Sequence, residues 1–183
     1  KLGERIARAQ AVHWCTGTGV GQPKGIVAAT LTADDTVATS DTLVYQDFLN
    51  LEGALDPAYE QNAVWVMNKG SWTAIRGILD GGATGRPLIF DQAASGIGGR
   101  PAKQLLGYPV IIDQAMPVYT DAAAYFAVLG DLREAYVIRR VSNIVVVVNP
   151  YSRAANGEVE FTAWERADGN IQNRNAYVIH RNV

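Results

Sequence analysis

The sequence predicts an α+β protein in which helices occupy the first half of the chain and strands the second. Apolar residues recur at helical spacing in 41–55 and in 69–79. From residue 108 onward, short apolar runs are separated by turn residues, which is typical of strands. The dipeptide Asn156-Gly157 lies between two such runs and favours a β-hairpin.

The first segment, residues 1–14, is predicted to be the last turns of a helix. One side of that helix is formed by Leu2, Ile6, Ala9 and His13. The sequence CTGTGVGQPKG follows, and its clustered glycines favour a loop.

The second helix is predicted over residues 41–55. Ser40 or Asp41 is expected to cap its start, because short polar side chains accept hydrogen bonds from the first free backbone N–H groups. Asp56-Pro57 is expected to end it. Its apolar face consists of Val44, Phe48, Leu51 and Leu55.

A short strand, AVWVM at 63–67, precedes a third helix at 69–79. Asn68 is the expected cap of this helix, and Gly81-Gly82 is the expected stop. One helix face carries Trp72, Ile75 and Leu79.

Residues 80–103 are rich in Gly, Ala and Arg, and predict a long projecting excursion. The β-rich remainder contains a hairpin around YSRAANGE and a second turn, ADGN at 167–170. The predicted strands are 109–113, 124–129, 135–140, 144–149, 158–164 and 176–180.

Charge and cysteine content argue against several classes of protein. The net charge is −2, with 16 Lys and Arg against 18 Asp and Glu, which gives no support for a nucleic-acid reader. A single cysteine, Cys15, makes an internal disulfide impossible and fits a reducing compartment. No apolar run is long enough for a membrane span, so no membrane partner is expected.

The glycine-rich loops do not match phosphate-binding motifs. In GTGVGQPKG the dinucleotide fingerprint fails at Gln22, and Lys24 is followed by Gly instead of Ser or Thr. The stretch GIGGRPAK at 96–103 fails similarly. Both are interpreted as structural turns, and no cofactor is expected.

The remaining candidates for chemistry are sparse. His13 and Cys15 are too few for a zinc site, since the only other histidine is His180 in a distant strand. His13 is interpreted as packing at a helix end against the core. Asp34-Asp35 lies in a polar loop without calcium-loop spacing and is interpreted as solvated.

The four tryptophans, Trp14, Trp65, Trp72 and Trp164, have apolar neighbours and are interpreted as core residues. In residues 158–163, Val159, Phe161 and Ala163 alternate with polar residues, which predicts a strand with one apolar and one acidic face. No catalytic, cofactor or metal constellation remains, so the sequence predicts a protein that is not an enzyme.

Five segments, in this order, resemble the major capsid protein family of tailed bacteriophages. They cover nearly the whole chain. They are GTGVGQPKGI, AVWVMNKGSWTAIRGILDGGATGRPL, LLGYPVIIDQAMP, LGDLREAYVIRR and VEFTAWERADGNIQNRNAYVI.

The resemblance implies a two-lobed fold. An axial domain would hold a small mixed sheet flanked by helices, and a peripheral domain would hold a spine helix and a long β-hairpin. The expected divisions are 1–30 for the spine-helix end and its loop, 31–140 for the axial domain, 141–169 for the peripheral hairpin and 170–183 for the return to the axial domain. The family's N-terminal arm, extended loop and most of its spine helix would precede Lys1, so the chain is expected to be a truncated piece.

The resemblance also implies a function: a structural subunit of a phage or prophage head that self-assembles around genomic DNA. Its partners would be copies of itself in hexamers and pentamers, DNA held non-specifically, and scaffold, protease, portal or decoration proteins. Its location would be the virion, after assembly in the cytoplasm of a bacterial host. Expected subunit-interface residues lie in the 81–103 stretch and at the hairpin tip: Arg86, Arg100, Lys103, Arg153, Asn156 and Gly157.

Two alternatives stay open at the level of sequence. One is the shell subunit of an encapsulin-like protein nanocompartment, which shares the fold. The other is an enzyme with an unrecognised site, which would have a deep pocket that converges on titratable residues.

Overall fold

The computed structural model describes residues 2–28, 31–36, 41–79, 103–141 and 144–183. Short 3-10 helices lie at Pro57–Asn62, Ala154–Asn156 and Arg174–Ala176. The α-helices are α1 (Leu2–Thr16), α2 (Tyr45–Ala54), α3 (Lys69–Arg76) and α4 (Leu132–Ala135). The strands are β1 (Asp35–Thr36), β2 (Val64–Met67), β3 (Gln104–Leu105), β4 (Tyr108–Ile112), β5 (Tyr125–Gly130), β6 (Tyr136–Arg140), β7 (Val145–Asn149), β8 (Glu160–Trp164), β9 (Ala167–Ile171) and β10 (Tyr177–Arg181).

Within the described residues, a mixed six-stranded sheet forms the centre, in the order β1-β10-β5-β2-β4-β3. β5 is antiparallel to both of its neighbours, whereas β2 and β4 run parallel, as do β1 and β10. Every residue of β5 is buried, because the sheet is covered on both faces at this strand. A continuous apolar run without alternation is the pattern expected of such a strand.

The two faces of the sheet belong to two apolar clusters. On one face, Phe48 and Leu51 of α2 and Ile75 of α3 pack on Trp65 of β2. On the other face, Cys15 at the end of α1 and Val27 pack with Val66, Val128 and Ile179. Each fully buried large side chain contributes about 1.5–3 kcal/mol to stability.

The predicted start of α2 was wrong by several residues. The helix begins at Tyr45, and the Asp47 carboxylate accepts the Val44 N–H at 3.2 Å. Asp41 has a positive φ of 58° and accepts instead from the Asn182 side chain at 2.9 Å. Ser40, the other proposed cap, lies outside the described residues.

The predicted cap of α3 is confirmed. The Asn68 side chain accepts the Gly70 N–H at 2.9 Å. The helix ends earlier than predicted, at Arg76, and the N–H of the capping residue Gly77 bonds back to the Ala74 carbonyl. The predicted stop at Gly81-Gly82 lies outside the described residues.

The ADGN segment is not a turn: it lies within β9, which pairs antiparallel to β6. Asp-Gly is a strong turn signal, but here the glycine is needed because a side chain of the paired strand packs directly against it. A Cβ on Gly169 would collide with the hydroxyl of Tyr136 on the paired strand. That hydroxyl donates to the Lys24 carbonyl at 2.9 Å and ties β6 to the glycine-rich loop.

The predicted hairpin is confirmed. β7 and β8 pair antiparallel from Val145 opposite Trp164 to Asn149 opposite Glu160. Gly157 adopts the left-handed conformation, with φ 69°, that the Asn-Gly signal predicts. We call β7, β8 and the connection 150–159 the ribbon.

Candidate assembly surface

The ribbon presents one face that is wholly apolar. Residues directly opposite each other in an antiparallel pair share a face, and the register pairs Val146 with Ala163 and Val148 with Phe161. Val146 is 51% exposed, Val148 54% and Phe161 62%. We call Val146, Val148, Phe161 and Ala163 the apolar face; no layer from the described part of the chain buries it.

The opposite face, the mixed face, combines apolar and polar residues. A hollow of about 290 Å³ lies on this side, between Val145, Val147, Trp164, Glu165 and Arg166. Trp164 is 65% exposed, so the expectation that all four tryptophans lie in the core is wrong for this one. The ribbon is therefore open to solvent on both sides, which is unusual for apolar strands.

The ribbon tip is organised by local polar contacts. Asn149 accepts the Tyr151 N–H at 3.0 Å, and the Arg153 guanidinium lies 3.5 Å from the Glu158 carboxylate. The Tyr151 side chain is 86% exposed. These contacts shape the tip, but an exposed ion pair of this kind adds at most about 1 kcal/mol of stability.

Three of the predicted interface residues, Arg153, Asn156 and Gly157, are brought together at this tip and are exposed. Lys103 is also exposed, but it lies at the end of the central sheet, where its carbonyl accepts the Val110 N–H at 2.8 Å. The remaining two, Arg86 and Arg100, fall outside the described residues.

The base of the ribbon is fixed to α1 by a charged contact. The Arg140 guanidinium lies 3.4 Å from the Glu165 carboxylate and 5.9 Å from the ring centre of Trp14. The Glu165 side chain is only 5% exposed. The cation therefore compensates a nearly buried carboxylate, and this contact sets where the ribbon leaves the body.

Two predictions about titratable groups are wrong. His13 is exposed on α1, whereas His180 is completely buried. Asp35 is not solvated, because its Oδ2 is buried. Asp34 is exposed as predicted, but it is held in place: its Oδ2 accepts the Ile179 N–H at 2.7 Å and lies 2.7 Å from Arg174. Sequence reasoning had no signal for this contact, because the partners lie far apart in the chain.

The Cys15 thiol is buried and unreactive. Burial raises the pKa of the Cys15 thiol to about 12, and the nearby Asp113 carboxylate, 3.7 Å away, adds to the shift. Within the described residues, no cluster of three or more His, Cys, Asp or Glu side chains has the geometry to hold a metal ion. Nor is any helix in the described part of the chain long and apolar enough to cross a bilayer.

Comparisons with known proteins relate both the sequence and the fold of the chain to phage capsid proteins. A sequence model described as the phage capsid family matches residues 1–181. The solved capsid of an empty GTA particle is similar over 100% of the chain, with 29% identity and a TM-score of 0.80. The capsid of a native GTA particle gives 28% and 0.77, also over 100% of the chain. A structure from Gordonia phage Cozz shares the fold, with 13% identity over 96% of the chain and a TM-score of 0.61.

The chain spans 64%, 63% and 59% of the lengths of these three proteins. Among curated protein sequences, no significant match is found. The α+β prediction and the predicted capsid fold are both confirmed by these similarities.

Proposed function

The chain belongs to the phage capsid family, and on this premise we propose that it is a structural subunit of the head shell of a tailed phage or prophage. The match over residues 1–181 is the observation that carries the proposal. Its biochemical role is to hold a shape and to contact copies of itself, not to catalyse a reaction.

The physical character of the chain supports this role. A shell subunit needs a stiff body and several patches that meet neighbours at fixed angles, because each contact is repeated by symmetry. Here the six-stranded sheet provides the stiff body, and the ribbon provides an exposed apolar patch. Contacts that are weak singly suffice when many act together in a closed shell.

We propose that the subunit is divided into the parts 1–30, 31–140, 141–169 and 170–183. The strands of the central sheet fall within 31–140 and 170–183, and the ribbon falls within 141–169, which supports the division. One strand pair, β6 with β9, joins the axial part to the end of the ribbon segment.

The proposed partners are copies of this chain in hexamers and pentamers, with DNA enclosed without sequence recognition. Scaffold, protease, portal and decoration proteins are further proposed partners. The proposed location is the virion, after assembly in the cytoplasm of a bacterial host.

The test is assembly itself. The protein encoded by the complete gene is produced alone in bacteria, purified by sedimentation and imaged by electron microscopy. We expect closed shells, or free hexamers and pentamers. A protein that stays monomeric at every concentration would contradict the proposal.

The ribbon is the proposed contact surface, together with the predicted interface residues Arg86, Arg100, Lys103 and Arg153. The variant Phe161→Asp places a charge on the apolar face, where the side chain is 62% exposed, so the fold should tolerate it. The matched control is Val20→Asp, at an apolar side chain that is 85% exposed on the glycine-rich loop. We expect the first variant to abolish assembly and the second to retain it; equal behaviour would remove the special role of the ribbon.

A further inference from the structure

His180 lies in an apolar slot at the junction of β10, β5 and α2. It is 0% exposed. Its ring stacks on Phe48 at 5.8 Å with an interplanar angle of 19°, and it meets the edge of Phe126 at 4.9 Å. Among the described residues, neither ring nitrogen has a hydrogen-bond partner. A histidine buried in this way is costly to charge, because the apolar surroundings cannot solvate a cation.

One carboxylate acts directly on this ring, and a second carboxylate interacts with the first. Strand β1 contributes Asp35, whose Oδ2 lies 3.4 Å from His180 Nδ1 and is itself buried without a hydrogen-bond partner among the described residues. Helix α2 contributes the buried Asp47; its burial, and to a smaller extent Asp35, raise its pKa, while the Val44 N–H acts in the opposite direction. β5 contributes only apolar side chains, Phe126 and Ala127.

β1 is held at separate points on either side. Among the described residues, β1 pairs with β10 through Asp35 and Thr36, opposite His180 and Arg181. Before them, Asp34 is fixed through Ile179 and Arg174. After them, Asp41 is fixed by the Asn182 side chain at 2.9 Å.

We propose that His180, Asp35 and β1 form an acid-sensitive latch: protonation of His180 separates β1 from β10, while the flanking contacts at Asp34 and Asp41 keep the chain attached. The separation lets water reach the imidazolium. It also exposes the outer backbone edge of β10, to which another strand can pair. This conformational device is independent of the proposed shell function.

The direction in which the pKa of His180 is shifted supports the latch. Burial lowers the pKa of His180 to about 4 from its ordinary value of 6.5, against an opposing effect of Asp35. The closed latch is therefore at full strength above about pH 6.5, weakens as the pH falls from there to about 4, and is constant below. If the open state titrates at the ordinary value, the opening equilibrium is roughly 25-fold larger at pH 5 than at pH 7.5.

Hydrogen exchange measured by mass spectrometry on the full chain tests the latch. After correction for the intrinsic pH dependence of exchange, peptides that cover β1 are expected to lose protection by roughly 25-fold between pH 7.5 and 5. In β10 the loss is confined to amides that face β1, because the other edge of β10 stays paired with β5. Peptides that cover β2 and β4, on the other side of the sheet, are the internal reference and should lose little. Equal loss in both regions would mean global unfolding and would overturn the latch.

Two variants distinguish protonation of the His180 imidazole from other effects of acid on the protein. His180→Phe keeps an aromatic ring in the slot and cannot titrate, so the acid-dependent loss in β1 should vanish. His13→Gln removes the exposed histidine of α1 and should leave the loss unchanged. Acid-dependent exchange that persists in His180→Phe would overturn the proposal.

If His180→Phe fails to fold, titration of the His180 imidazole in the wild-type protein by NMR decides. A midpoint near 4 supports the latch, and a midpoint near the ordinary 6.5 overturns it.

Discussion

Replacing Asn68 should destabilise the protein more than an ordinary helix-cap substitution, because this side chain performs two functions. Its Oδ1 caps α3 by accepting the Gly70 N–H at 2.9 Å. Its Nδ2 donates to the Met116 carbonyl at 2.8 Å and more weakly to the Gln114 carbonyl at 3.4 Å. Asn68 is only 7% exposed, so water cannot readily replace these bonds.

The expected magnitude is the sum of two contributions. Loss of the cap costs about 1 kcal/mol. Loss of the donor leaves the Met116 carbonyl without its side-chain partner, at about 1–3 kcal/mol. Asn68→Ala should therefore lower the free energy of unfolding by about 3 kcal/mol. Asn68→Asp keeps an acceptor for the cap but turns a carboxylate toward two carbonyls, so at neutral pH it should be no more stable than the alanine variant.

The assay is urea denaturation followed by circular dichroism, with Asp56→Ala as the matched control. Asp56 caps the turn at Pro57–Asn62 through the Ala58 N–H at 2.9 Å and is exposed, so its loss isolates a cap alone, worth about 1 kcal/mol. If Asn68→Ala costs no more than Asp56→Ala, the assignment of a second function to Asn68 is refuted.

Three further outcomes are expected. Gly130→Ala should lower the free energy of unfolding by more than about 3 kcal/mol in the same assay, because a Cβ would lie 2.5 Å from Tyr177 Cα at a φ of 155°. Gly53→Ala should instead raise the free energy of unfolding by about 0.5–1 kcal/mol, because Gly53 lies inside α2 and a Cβ there meets nothing within 4 Å. Cys15, whose burial raises its pKa to about 12, should not react with a disulfide reagent at pH 8 until urea unfolds the chain; reaction in the native state would contradict the burial. Trp65→Phe removes the indole donor to the Leu105 carbonyl at 3.1 Å and should cost about 1–3 kcal/mol by calorimetry or denaturation, with no change in β-strand content.

Much of the fold could be predicted because its signals are local. The apolar runs that become β2 and β5 need no partner to be recognised as buried strands. The cap at Asn68 and the turn at Gly157 are likewise determined by residues within a few positions.

The sequence-based predictions are wrong where a residue far away in the chain determines the local structure. Asp168-Gly169 has a turn signature, yet pairing with β6 overrides it because Tyr136 requires a neighbour without a Cβ. Asp35 looks solvated in the sequence, yet its Oδ2 is buried 3.4 Å from His180 Nδ1, which lies far away in the chain.

The candidate surface was predicted only in part. The Asn-Gly signal located the tip at Arg153, Asn156 and Gly157. The apolar strand VVVV at 145–148 is typical of a buried strand, and nothing local indicates that both of its faces are exposed. Exposure depends on which layers surround a strand, and a single sequence contains no direct signal for that.

The position of β10 between β1 and β5 has a consequence for synthesis on the ribosome. Tyr177, Val178 and Ile179 fill the middle of the sheet, yet they are translated after the whole ribbon. A nascent chain thus displays the exposed apolar ribbon before the central sheet is complete. A polypeptide that terminates before Tyr177 would lack the strand between β1 and β5, so translation must reach β10 before the core can form.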